Sequence, residues 1–150
     1  MSSEEQERRV RRANCGRIED NIQRYKRLIR EFWPRRSELD ARIRSLQSEL
    51  SDKEVELRAI ESSILAAGAF RGVAGAAAGL FSAVKLANQK DAVENKISYL
   101  KSEIQKTERE FSRIENQIDD YEYNFSLSQD RFHSDKCWEV GFSSENLNMP

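Results

Sequence analysis

The stretch Ile18-Glu-Asp-Asn-Ile22-Gln-Arg-Tyr25-Lys-Arg-Leu-Ile29-Arg-Glu-Phe32 sets an apolar side chain at alternating steps of four and three. Such spacing lines one side of a helix with a narrow apolar seam, the pattern of a coiled coil. Taking Ile22 as heptad position a makes Ile18 d and Cys15 a. The same phase runs on through Leu39, Ile43, Leu46, Leu50, Leu57, Ile60 and Ile64 without a stutter. Arg36 and Lys53 fill the two skipped seam positions. Pro34 falls at f, the most solvent-facing position, so a kink or a restarted helix is expected there rather than a boundary.

A second run repeats the pattern in Leu86, Val93, Ile97, Leu100, Ile104, Thr107, Phe111, Ile114, Ile118, Tyr121 and Phe125, with Lys90 as its polar seam residue. Neither stripe can be buried by its own helix, so each needs a partner. The simplest partner is the other run, folded back antiparallel. In such a pair facing residue numbers have a constant sum, and the two phases allow 150 or 157. The larger sum matches more apolar pairs near the reversal; sequence alone leaves both open.

Charge favours the same pairing. Residues 8–44 carry thirteen Arg or Lys against five Asp or Glu, a net of +8, while residues 103–145 carry five against eleven, a net of −6. Laying the basic arm along the acidic one selects orientation, although each exposed pair adds little stability. Composition agrees with long two-faced helices: 34% of the 150 residues are charged, 38% are apolar, and there are two prolines and six glycines. That balance excludes a doubly wound sheet or a barrel, which need Val- and Ile-rich strands and frequent turn residues. A net charge of −1 gives no global pull toward nucleic acid.

Between the runs the composition changes abruptly. Residues 64–84 contain one charge, Arg71, and four of the six glycines, Gly68, Gly72, Gly75 and Gly79. At about 100° per residue these glycines fall on one side of a helix, and Phe70, Val73, Leu80, Phe81 and Val84 fall on the other. The spacing resembles the glycine zipper of membrane-associated helices, in which small residues let backbones approach closely. The segment is long enough to cross a bilayer, yet Ala and Gly are weakly lipophilic and Arg71 would cost about 2.5–3.5 kcal/mol near the centre. The expectation is a small-residue tip that packs on itself or a partner, with conditional membrane insertion through residues 64–84 as the rival reading.

Candidates for chemistry are few. His133 and Cys137 are spaced i, i+4, and a closed hairpin brings Cys15 near them, so a zinc site with Asp135 as fourth ligand is conceivable. No CxxC or HxxxH spacing reinforces it, and no metal is expected. No nucleophile elbow, phosphate-binding glycine loop or HExxH is present; no catalytic residue and no cofactor are expected, and the chain is read as a non-enzyme. The run Arg8-Arg9-Val10-Arg11-Arg12 can neutralise phosphates, but Glu4, Glu5 and Glu7 precede it and the acidic arm competes for it, so a nucleic-acid-binding adaptor is only a third reading. The opening Met-Ser-Ser-Glu-Glu-Gln-Glu lacks the apolar core of a secretory signal. Two cysteines make no disulfide framework. A cytoplasmic or leaderless protein with reduced thiols is therefore expected, a Cys15–Cys137 disulfide at the hairpin base being the alternative.

Beyond Phe125 the heptad is lost. Within this tail Trp138-Glu-Val140-Gly-Phe142 alternates as a short strand does, which suggests either an irregular end or a docking peptide presenting Trp138, Val140 and Phe142. The expected fold is thus all-α: a polar, basic arm over 1–14, a first coiled-coil arm over 15–63, a Gly/Ala-rich tip over 64–87, a second arm over 88–128 and an irregular tail over 129–150. The function that suits it is a non-enzymatic interaction or assembly protein, a coiled-coil spacer whose tip associates with copies of itself or with another helical protein. A membrane-active component, such as a translocator, pore subunit or toxin-like protein, is the alternative.

Overall fold

A computed structural model describes residues 2–69 and 76–150, with side chains for 2–66, 83–145 and 147–150. Helix α1 spans Ser3–Ala69 and helix α2 spans Ala76–Ser134. Two short 3-10 turns follow, Cys137–Val140 and Ser144–Leu147. No strand occurs among the described residues. The two helices pack against each other as an all-α hairpin. Helix α1 continues through Pro34 without interruption. The proline is exposed, so the carbonyl that loses its helical donor can turn to water.

The chain forms two compact units, residues 1–38 with 111–150, and residues 39–110. In the first unit Cys15, Ile18, Ile22 and Ile29 of α1 meet Phe125 and Phe132 of α2, and Cys137, Val140 and Leu147 complete the core. Tyr25, Trp33, Tyr121 and Phe142 pack at its edge. The Tyr121 ring lies 5.6 Å from Phe32 and 6.3 Å from Tyr25. In the second unit Ile60 meets Val93 and Ile97, flanked by Leu50, Leu57, Ile64 and Leu86. The described seam positions read from the heptad are thus buried or half-buried. Thr107, a polar seam residue, is satisfied locally, its hydroxyl donating to the Glu103 carbonyl at 2.7 Å.

The register is the one in which facing numbers add to about 150. Arg11 meets Glu139, Lys26 lies over Phe125, and Lys90 reaches Glu61. The rival register would move Cys15 away from Cys137 and set Ile29 opposite Ser128. Layers at the base decide the matter, because the seam does not stop at Phe125. Ser128 and Phe132 continue it, both buried, and α2 runs to Ser134. The boundary expected after residue 128 is therefore corrected: one serine in a seam position hides six further helical residues.

Candidate functional site

The tail is built onto the hairpin base rather than left irregular. Helix α2 ends where Asp135 and Lys136 turn the chain, the Lys136 N–H donating to the His133 carbonyl at 3.1 Å. Lys136 takes the left-handed conformation that commonly closes helices, at φ 48°. The strand-like alternation around Trp138 belongs to a 3-10 turn, Cys137–Val140, ended by Gly141 at φ 99° with its N–H donating to the Cys137 carbonyl. Alternating apolar residues fit a single 3-10 turn as well as a strand. What separates the two is a glycine that reverses the chain within four residues. Val140 becomes buried and Phe142 half-buried against the core, whereas Trp138 stays exposed, its ring 6.4 Å from Phe132 and 5.9 Å from His133.

A disulfide joins Cys15 to Cys137, with Cα atoms 5.5 Å apart and both residues wholly buried. The expectation of reduced thiols is thereby corrected. The sequence signal was weak because the two cysteines lie 122 residues apart; only the 150 register brings them together. With both sulfurs bonded to each other, the set Cys15, Cys137, His133 and Asp135 lacks the thiolates a zinc site needs. No cluster of three or more metal-ligating side chains occurs among the described residues.

Arg11 ties the turn from the other side. Its Nε donates to the Asp135 carbonyl at 2.9 Å, and its Nη2 meets the Glu139 carboxylate at 3.0 Å. The Gln129 amide donates to the Leu147 carbonyl, and the Phe142 ring comes close over Gly16. Two open grooves flank this clasp. One, of about 590 Å³, is lined by Ser3, Glu7, Val10, Arg11, Asn14 and Asp135. The other, of about 390 Å³, has Arg8, Arg9 and Arg12 facing Val140 and Gly141.

The expected pairing of the basic arm with the acidic arm is realised in part. Arg11–Glu139 and Arg42–Glu103 cross in that sense, and Lys96–Glu49 and Lys90–Glu61 cross in the opposite one. Most arginines of residues 8–30 sit at b, c and f, pointing away from α2. The flanking positions on one side of the seam are Asn14, Asn21 and Leu28 on α1 and Gln117 and Asn124 on α2, and those on the other are Glu19, Lys26 and Trp33 on α1 and Glu115, Glu122 and Gln129 on α2. Lys26 is the exception, buried with its ammonium 6.0 Å from the Phe125 ring centre. Loss of water, and then the neighbouring Arg30, pushes its pKa below the usual lysine value.

The tip residues Gly68, Gly72, Gly75, Gly79, Phe70, Val73, Leu80 and Phe81 lie outside the residues whose side chains are described. Val84, at its far side, is 59% exposed, and Leu65, at its near side, is 76% exposed. Among the described residues no helix is long and apolar enough to cross a membrane. No family model matches the chain, and no curated protein or solved structure is similar to it.

Proposed function

We propose that this chain is a non-enzymatic assembly protein, in which paired helical arms carry a small-residue segment that binds closely to a second helix. The observation that carries the reading is the pair of exposed apolar residues bracketing that segment. The arms spend their seams on each other, yet Leu65 and Val84 remain uncovered at its two ends. Exposed apolar groups at both ends of a low-charge stretch suit a surface that meets a partner. Glycines at 68, 72, 75 and 79 supply the close approach that helix association without bulky knobs requires. The buried disulfide supports folding in an oxidising environment and weighs against the cytoplasmic expectation.

The test is mass-resolved light scattering of the oxidised chain with and without liposomes. Gly72→Leu and Gly75→Leu each improve helix propensity and add apolar surface, so membrane affinity should hold or rise while association falls. Phe70→Ser with Phe81→Ser should spare association. Normal association by the glycine variants would reject the packing role. Liposome binding that the serine pair abolishes would instead favour the membrane-active alternative.

A further inference from the structure

One face of the first unit is divided by charge. Lys26, Arg30 and Trp33 follow one another at i, i+4 and i+7 along α1, and Glu115, Asp119 and Glu122 do so along α2. These are the e and b positions of both helices, which share one side of an antiparallel hairpin. Arg30 and Asp119 are exposed, and Glu115, Glu122 and Trp33 are half-buried. Arg27, at the neighbouring f position, adds a further exposed positive charge. Arg27, Arg30, Glu115, Asp119 and Glu122 form no ion pair among the described residues, whose intramolecular bridges lie elsewhere. Below this patch the same face is closed by the protein's own tail, where Phe142 comes over Gly16 and Leu147 is held by Gln129. Above the tail it is open.

We infer that this face is the contact surface of a two-fold dimer in which the Lys26–Trp33 edge of each chain lies on the Glu115–Glu122 edge of the other. The reason is symmetry combined with level. In the 150 register Arg30 lies level with residue 120, and Lys26 with residue 124, so the basic and acidic edges occupy the same stretch of the hairpin. Two copies placed face to face about an axis along the helices set α1 of each over α2 of the other, at equal height. Arg30 then meets Asp119, and Arg27 meets Glu122, twice over, while Lys26 stays buried beside its own Phe125. Turning one copy end for end instead sets α1 on α1, basic on basic. Charge thus excludes the antiparallel dimer and selects the parallel one. Trp33, half-buried at the upper end of the edge where it packs on its own core, adds an aromatic group to the patch. A polyanion fits less well, because Glu115, Asp119 and Glu122 share the face with the arginines and repel it.

The inference rests on the self-association reading above but uses different residues, so the two can fail separately. The test is sedimentation equilibrium of the oxidised full chain at 50 mM and 500 mM salt. The wild type should approach twice the 17.4 kDa chain mass at low salt and dissociate at high salt, where screening is strong. One variant carries Arg27→Glu and Arg30→Glu, a second carries Asp119→Lys and Glu122→Lys. Each alone should self-associate about tenfold or more weakly, and an equimolar mixture should recover association, since a mainly acidic face then meets a mainly basic one. Recovery also shows that both variants are folded. The inference is overturned by a wild type that stays monomeric at low salt, by variants that associate normally, or by a mixture that does not recover. Should the charge variants associate normally while Gly72→Leu does not, the face is excluded and the tip reading stands.

Discussion

Removing the Cys15–Cys137 bond tests the clasp quantitatively. The bond closes a loop across 122 residues, for which the chain-entropy model gives about 5 kcal/mol of stabilisation at 25 °C, near the top of the 2–5 kcal/mol found when native disulfides are removed. Taking about 4 kcal/mol, and about 2–4 °C of melting temperature per kcal/mol for a chain of this length, the double variant Cys15→Ala, Cys137→Ala should melt about 8–16 °C lower. Alanine keeps the site apolar, so no hydroxyl is left buried without a partner. The tail should loosen but stay partly docked, because Arg11 still holds Asp135 and Glu139 and Val140 and Leu147 still gain from burial. Circular dichroism melts give the shift, and hydrogen exchange locates it, with amides of residues 137–147 losing protection first. A shift under about 2 °C, with tail protection unchanged, would refute the view that the disulfide holds the base together.

Gly141→Ala should cost about 1 kcal/mol, because φ is 99° there while an added Cβ meets nothing within 4 Å; urea unfolding reads the loss, and an unchanged midpoint would contradict it. Lys136→Gly, at φ 48°, should stabilise by about 0.5–1 kcal/mol for the converse reason, unless the lysine makes a contact of its own. Replacing Arg36 and Lys53 together with Leu should raise the melting temperature and broaden the oligomer distribution, since polar seam residues restrict register; lower stability would show them to be specific partners. Lys26→Met should stabilise the fold at neutral pH. The folded lysine binds its proton less tightly than the unfolded one, so wild-type stability gains between the lowered folded pKa and the ordinary 10.5. The advantage of the variant should therefore shrink as pH rises through that window, and a pH-independent advantage would exclude a desolvated ammonium as the cause.

What could be read from the sequence followed from periodicity. Ile18, Ile22, Ile29, Leu39 and Ile60 on α1, and Val93, Ile97, Leu100, Ile104 and Phe125 on α2, are all buried, because a helix that buries one stripe must repeat apolar groups every three and four residues. Reading failed where a local rule had more than one solution. Ser128 looked like the end of the seam, yet it is buried between Phe125 and Phe132 in heptad order. The alternation of Trp138, Val140 and Phe142 fitted a strand until Gly141 turned the chain. Net charge per arm promised a zipper of ion pairs, but charge matters across a seam only at the flanking positions; one side of the seam places Asn14, Asn21, Gln117 and Asn124 there, and most arginines of residues 8–30 sit at b, c and f. The disulfide depended on register, and register depended on base layers that the early end of the seam concealed.

The tail clasp and the divided face both rest on one claim, that the two arms lie antiparallel in the 150 register. Methyl-selective nuclear Overhauser spectroscopy at high salt tests it most directly, using Leu46 as the reporter. Cross-peaks from Leu46 to Ile104, together with Leu57 to Val93, are predicted within a single chain. Cross-peaks from Leu57 to Leu100, or none between residues 39–64 and 86–111, would contradict it.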